Sequence, residues 1–237
     1  MKISILTLFP DMFSGPFQAS IVKNALDRQL VSIDFVNIRD FGIGPHKIVD
    51  DTPYGGGIGM VMRVDVLKKA LEATRDPNLS QEEEKVVLLT ADGETYNQRV
   101  AESFAQLKHL ILLCGHYEGV DERIRQFVDV EVSIGDFVLT GGEIPAMLIT
   151  DSVVRLLKGV LKEGVTNAES FSHKDEDNFL LEYPQYTRPQ EFAGLAVPEI
   201  LSSGNHQKID AWRQEQAKKK TALKRPDLLR GTKTRSA

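Results

Sequence analysis

The sequence predicts an α/β domain built on a mainly parallel sheet, followed by a small helical C-terminal domain. Short, wholly apolar strands alternate with helical periods along the first part of the chain. Three of those strands run straight into glycine-bearing or small-residue turns. After Leu161 the alternation gives way to polar, acidic and weakly periodic sequence.

Taken in order, Ile3, Ile5, Leu6 and Leu8 make a first strand, and Pro10 and Asp11 interrupt it too early for a cleavable leader. Residues 13–30 carry a helical pattern through Phe17, Ile21, Val22, Ala25 and Leu26, and residues 31–38 alternate as a strand does. A glycine-rich loop over 40–62 leads to a helix over 64–74, with Val64, Leu67, Ala70 and Leu71 on one side. A polar stretch, 76–84, precedes a strand over 86–89. A helix over 98–107, a strand over 110–114, a helix from Asp121 and a strand over 130–134 follow. The apolar helix over 144–157 takes Pro145 in its first turn, where a missing N–H costs nothing. Residues 1–161 thus form one domain, 162–178 a flexible linker and 179–237 a second domain. In the latter a helix spans 205–224, with Asn205 as its cap, Ile209 and Trp212 on one face, and Pro226 ending it.

Composition narrows the class. The chain has 237 residues, 41% hydrophobic and 27% charged, which excludes general disorder. One cysteine, Cys114, excludes an intrachain disulfide framework and a cysteine-based zinc cluster, and fits a reducing, cytoplasmic compartment. No apolar run approaches the ~18 residues of a membrane helix, and no pair of histidines has H-x-x-x-H spacing. The net charge of −5 hides an asymmetry: residues 205–237 carry ten basic against three acidic side chains, a net +7, leaving −12 on residues 1–204. Such a tail is either a solvated helix or a polyanion contact confined to one end.

The chemistry is expected where strands end in turns, because ligands of open α/β sheets bind outside the carboxyl ends of the strands. These turns are Leu89-Thr90-Ala91-Asp92-Gly93, Cys114-Gly115-His116-Tyr117-Glu118-Gly119 and the run from Ser133 to Glu143. No dinucleotide or triphosphate glycine fingerprint is present, which argues against a nucleotide-dependent oxidoreductase. Pro53-Tyr54-Gly55-Gly56-Gly57-Ile58-Gly59-Met60 could wrap a phosphate by its amides, or serve as a lid or an oligomer contact. Cys114 closes an apolar strand, where a packed thiol is commoner than a nucleophile.

Three runs together resemble one family. They are 53–60, Cys114-Gly115-His116-Tyr117-Glu118-Gly119-Val120-Asp121-Glu122-Arg123 and Ser133-Ile134-Gly135-Asp136-Phe137-Val138-Leu139-Thr140-Gly141-Gly142-Glu143. With Tyr186-Thr187-Arg188-Pro189, and Ser203-Gly204-Asn205-His206 followed by Trp212-Arg213, they resemble the bacterial tRNA (guanine-N1)-methyltransferases of the TrmD type. The resemblance implies a SPOUT-type fold whose sheet contains a deep trefoil knot, a rare exception to chain topology. It implies transfer of a methyl group from S-adenosylmethionine to N1 of the guanosine just 3′ of the tRNA anticodon, by a homodimer with its sites at the subunit interface. It also carries an association with magnesium, with no residue named for it.

Carried over by position, the implied donor contacts are Ala91, Gly115, Tyr117, Glu118, Ile134, Gly135, Asp136, Phe137, Val138, Leu139, Gly141, Gly142 and Pro145. Ala91 stands where the family often has proline. Arg155 matches the family's catalytic arginine. The family's base is an aspartate before Ser-Phe; here the triplet is Glu169-Ser170-Phe171, so Glu169 is the implied base, with Asp175 and Asp177 as fallbacks. The linker would order on tRNA, and the tail, Lys218, Lys219 and Lys220 included, would hold phosphates. The glutamate leaves one alternative within the resemblance, a tRNA-binding protein that keeps the donor pocket without catalysis.

Overall fold

The structure is a computed structural model that describes residues 1–175 and 178–229, Lys174 and Asp175 through their backbone alone. Asp177, Arg230, Lys233 and Arg235 lie outside the described residues. The chain divides into two compact units, Met1–Leu161 and a second that begins at Lys162.

The first unit runs β1 (Lys2–Thr7), α1 (Ser20–Asp27), β2 (Ser32–Asn37), β3 (Asp50–Asp51), β4 (Val61–Met62), α2 (Val64–Thr74), β5 (Glu84–Thr95), α3 (Gln98–Phe104), β6 (His109–Cys114), β7 (Val130–Ser133) and α4 (Glu143–Val154). Five strands form one sheet in the order β2-β1-β6-β5-β7, every pair parallel. Both faces are covered, so side chains of either parity must be apolar. Strand β6 shows this directly. Leu110, Leu112 and Cys114 join the core with α1, α3 and α4, whereas Ile111 and Leu113 join the core with α2. Where the strands begin, three buried polar groups satisfy one another. Glu84 accepts from His109 Nδ1 at 2.7 Å, and Ser4 Oγ lies 2.8 Å from Nε2.

Several expected elements differ in physical detail. The helical period over 13–30 is broken at Pro16–Gln18, a 3-10 turn before α1, because proline lacks the N–H that a continuous helix needs; its first residue, Phe13, closes another 3-10 turn that starts at Pro10. The glycine-rich loop is not bare. It holds a 3-10 turn, Ile38–Phe41, and the antiparallel ribbon β3–β4. The helix expected from Asp121 is a 3-10 turn, Glu122–Phe127, with the Asp121 carboxylate accepting from Arg123 N at 3.0 Å.

The largest difference is in β5. The turn expected at 89–93 lies inside the strand, which pairs with β7 up to Leu89, slips register, and resumes at Glu94. This is a bulge: extra residues on one strand against fewer on its partner. Gly93 is required there, since a Cβ would sit 2.5 Å from the Val132 backbone nitrogen.

In the second unit the stretch expected as a linker contains a 3-10 turn, Val165–Ala168, and the first strand of a ribbon, β8 (His173–Asp175) with β9 (Asn178–Leu180). A second ribbon, β10 (Glu191–Phe192) with β11 (Leu195–Ala196), precedes α5 (His206–Lys224). The unit is therefore mixed rather than helical throughout. Asn205 caps α5 by accepting from Lys208 N at 3.1 Å, and Pro226 opens a separate 3-10 turn beyond its end. Thr221 is buried and ties α5 inward, accepting from Leu181 N at 2.8 Å and donating to Ala217 O at 2.7 Å. No helix among the described residues is long and apolar enough to cross a membrane.

Gly93→Ala forces a methyl into the β7 backbone and is expected to lower the unfolding free energy by about 1–3 kcal/mol. A urea titration measures this, and an unshifted midpoint would contradict the bulge packing.

Candidate active site

Strands β6, β5 and β7 are neighbours and parallel, so their carboxyl ends open at one edge of the sheet. The segment beyond the paired part of each strand folds over that edge. The two longer segments are stitched together by backbone: Gly142 N donates to Gly115 O at 2.9 Å, and His116 and Gly141 form an antiparallel bridge. The stitch demands close approach, since a Cβ on Gly142 would lie 2.7 Å from the Cys114 Cα. Residues near β4 brace the first segment, with Glu118 N donating to Met60 O and Met62 N to Gly119 O, both at 3.0 Å.

A cleft of about 210 Å³ lies between these segments. Of the donor contacts carried over from the resemblance, all but Asp136 line it; Asp136 is not among the lining residues. The wall is glycine backbone at Gly115, Gly135, Gly141 and Gly142, and apolar side chain at Phe137, Val138 and Leu139, which stay largely exposed along the rim. Tyr117 holds φ +60°, an uncommon conformation outside glycine and the kind of local strain that collects at functional sites. Its amide donates to His116 Nδ1 at 2.9 Å.

The cleft also has lining and supporting residues outside the carried-over set, among them the polar Thr90, His116 and Glu143. Thr90 and His116 face the cleft directly. Glu143 does not face it, yet is almost fully buried beneath it and accepts from the Thr7 hydroxyl at 2.7 Å. The available signal was its position: an acid in the first turn of a helix, directly after two glycines.

Cys114 sits under the floor, 1% exposed. Burial, and secondarily the Glu143 carboxylate, pushes its thiol well above the usual cysteine range. A thiol so held does not act as a nucleophile.

The two catalytic candidates fall one in each unit. Arg155 caps the C-terminal end of α4, its amide donating to Asp151 O at 3.2 Å, whereas it is the N-terminal end of α4 that borders the cleft. Glu169 belongs to the second unit, half-buried at the end of the turn Val165–Ala168, its carbonyl accepting from Ser172 N and His173 N at 3.1 Å each. Asp175 closes β8. On α5, the Lys220 Nζ donates to Glu182 O at 2.8 Å. Lys218, Lys219 and Lys224 are exposed. Among the described residues no group of three or more His, Cys, Asp or Glu side chains converges to hold a metal ion.

Comparison with known proteins covers nearly the whole chain. A family model described as tRNA (Guanine-1)-methyltransferase TrmD matches residues 1–231. The tRNA (guanine-N(1)-)-methyltransferase of Dictyoglomus turgidum is 51% identical over 232 residues, 98% of this chain and 91% of that protein. That of Halalkalibacterium halodurans is 53% identical over 235 residues, 98% and 93% of the two chains. That of Carboxydothermus hydrogenoformans is 52% identical over 231 residues, 97% and 88%.

Native protein is expected to react with iodoacetamide at Cys114 more than about tenfold more slowly than the urea-unfolded chain. Equal labelling rates, read by mass spectrometry, would contradict the buried thiol.

Proposed function

The chain belongs to the tRNA (guanine-1)-methyltransferase family, and on that premise we propose that it methylates N1 of the guanosine immediately 3′ of the tRNA anticodon, with S-adenosylmethionine as donor. The observation that carries the donor is the cleft. Its amides and carbonyls come from three strand ends, its rim is apolar, and its volume is about 210 Å³. The trefoil knot belongs to the same proposal and rests on membership of the family.

The donor supplies an electrophilic methyl group, and the chain must supply the rest. Guanine N1 carries a proton, so its lone pair is free only once a base removes that proton, and charge then builds on O6. Glu169 takes the proton as general base and Arg155 donates to O6. The glutamate is one methylene longer than the family's aspartate and has one more torsion to fix, but accepts a proton equally well. The cleft holds the methyl in line with N1, an orientation effect. No covalent intermediate on the enzyme is needed, in keeping with the inert Cys114.

A homodimer completes the site. Arg155 follows a helix of twelve residues that begins beside the cleft, about 18 Å away at ~1.5 Å per residue. A chain therefore does not offer its own Arg155 to its own cleft, and a second copy can. Ile144 and Leu148, one turn apart on α4, remain about half exposed, an apolar stripe suited to a partner helix. The exposed cations of α5 would hold tRNA phosphates. A tRNA-binding protein without catalysis finds no support among full-length relatives at about half identity, which are named as methyltransferases.

Labelled methyl transfer onto tRNA transcripts tests the reading. Transcripts with guanosine 3′ of the anticodon are expected to gain label and those with adenosine there are not; equal labelling would overturn the assignment. Glu169→Gln is expected to lower kcat by about 10²–10⁴ with donor affinity unchanged, and full activity would move the base elsewhere.

A further inference from the structure

Strand β1 gives the cleft no lining residue, yet the segment at its end touches both groups that crowd Gly141. The first group is the Glu143 carboxylate. One oxygen accepts from the Thr7 hydroxyl at 2.7 Å, and that hydroxyl in turn accepts from Phe9 N at 2.9 Å. The other oxygen backs Gly141 so closely that a Cβ there would lie 2.4 Å from it. The second group is the His116 ring, whose Cδ2 would lie 2.7 Å from the same Cβ. That ring accepts from Tyr117 N at Nδ1 and packs against Phe9, with ring centroids 5.0 Å apart.

From this geometry we propose that residues 7–9 act as a clamp, with Thr7, Phe9, His116 and Glu143 as positioning residues that hold Gly141 and Gly142 in the shape that binds the methyl donor. The inference rests on the donor reading of the cleft. None of the four is catalytic; Thr7, Phe9 and Glu143 act through the turn, and His116 does so while also lining the cleft.

The chemistry favours this over plain packing. A carboxylate is costly to bury, and an apolar side chain of that size would fill the space. The charge is tolerated at this point because it sits in the first turn of α4, where the helix dipole favours an anion, and because a hydroxyl donates to it. In return the carboxylate has a direction. One oxygen takes the hydrogen bond of the Thr7 hydroxyl, and the other lies against Gly141. Thr7 is itself oriented by the Phe9 amide, so the end of β1, the start of α4 and the bridge between His116 and Gly141 take one joint arrangement.

The test measures the affinity of the full chain for S-adenosylhomocysteine by calorimetry, beside its melting temperature. Thr7→Val keeps the volume and removes the hydroxyl. Its Kd is expected to rise about tenfold, the scale of one hydrogen bond to a charged group. Thr7→Ser restores the hydroxyl and is expected to return the Kd to near the wild-type value. Phe9→Leu, at a partly exposed position, removes the ring from His116 and is expected to raise Kd a few-fold. In turnover, both Thr7→Val and Phe9→Leu should raise KM for the donor while kcat at saturating donor is retained. If Thr7→Val fails to fold, Phe9→Leu decides. Wild-type Kd in the variants, with or without a lower melting temperature, would overturn the clamp and leave the donor reading standing. Failure of the wild-type chain to bind S-adenosylhomocysteine would overturn both.

Discussion

The bond from the Gly142 amide to the Gly115 carbonyl is the contact on which the rest of the cleft depends. Gly142 is also the residue that caps α4, and Gly115 is the first residue beyond β6. One backbone contact therefore sets the distance between a central strand and a helix start, and so the spacing of the segments that wall the cleft. The demand falls on backbone rather than on side chain, which explains why small residues collect at this edge. It also explains why Cys114 is inert: it lies beneath the stitch, sealed by the same close approach.

Much of this was legible in the amino-acid order, for definite reasons. Strand β6 has six buried residues in a row, and only a strand covered on both faces asks for that. The helix over 205–224 announced itself by an asparagine cap and a terminating proline, and both act as expected. What could not be read are features in which distant or backbone demands win. The bulge in β5 is set by the path of β7, not by any local propensity. The proline at 16 cuts a helical period short although the apolar spacing continues across it. The contact between Thr7 and Glu143 joins residues 136 positions apart, and neither periodicity nor spacing relates them.

Charge follows the same logic. Counting lysines gives the tail its basic character, but the count does not say which of them are spent within the fold. Lys220 is held by a backbone carbonyl, and Arg225 is paired with Asp227 at 2.6 Å. The electrostatic surface that α5 offers is thus narrower than its composition: Lys219 is paired as well, with Glu215 at 2.7 Å, although Lys218, Lys219 and Lys224 are exposed.

The slip in β5 has a consequence for how this edge of the molecule can vary. Residues 90–93 have no ladder partner on β6 or on β7, because pairing stops at Leu89 and resumes only at Glu94. An imino acid at position 91 would therefore forfeit no interstrand bond. Alanine and proline are interchangeable at this position so far as the sheet is concerned, so a wall of the cleft can change without disturbing the scaffold beneath it.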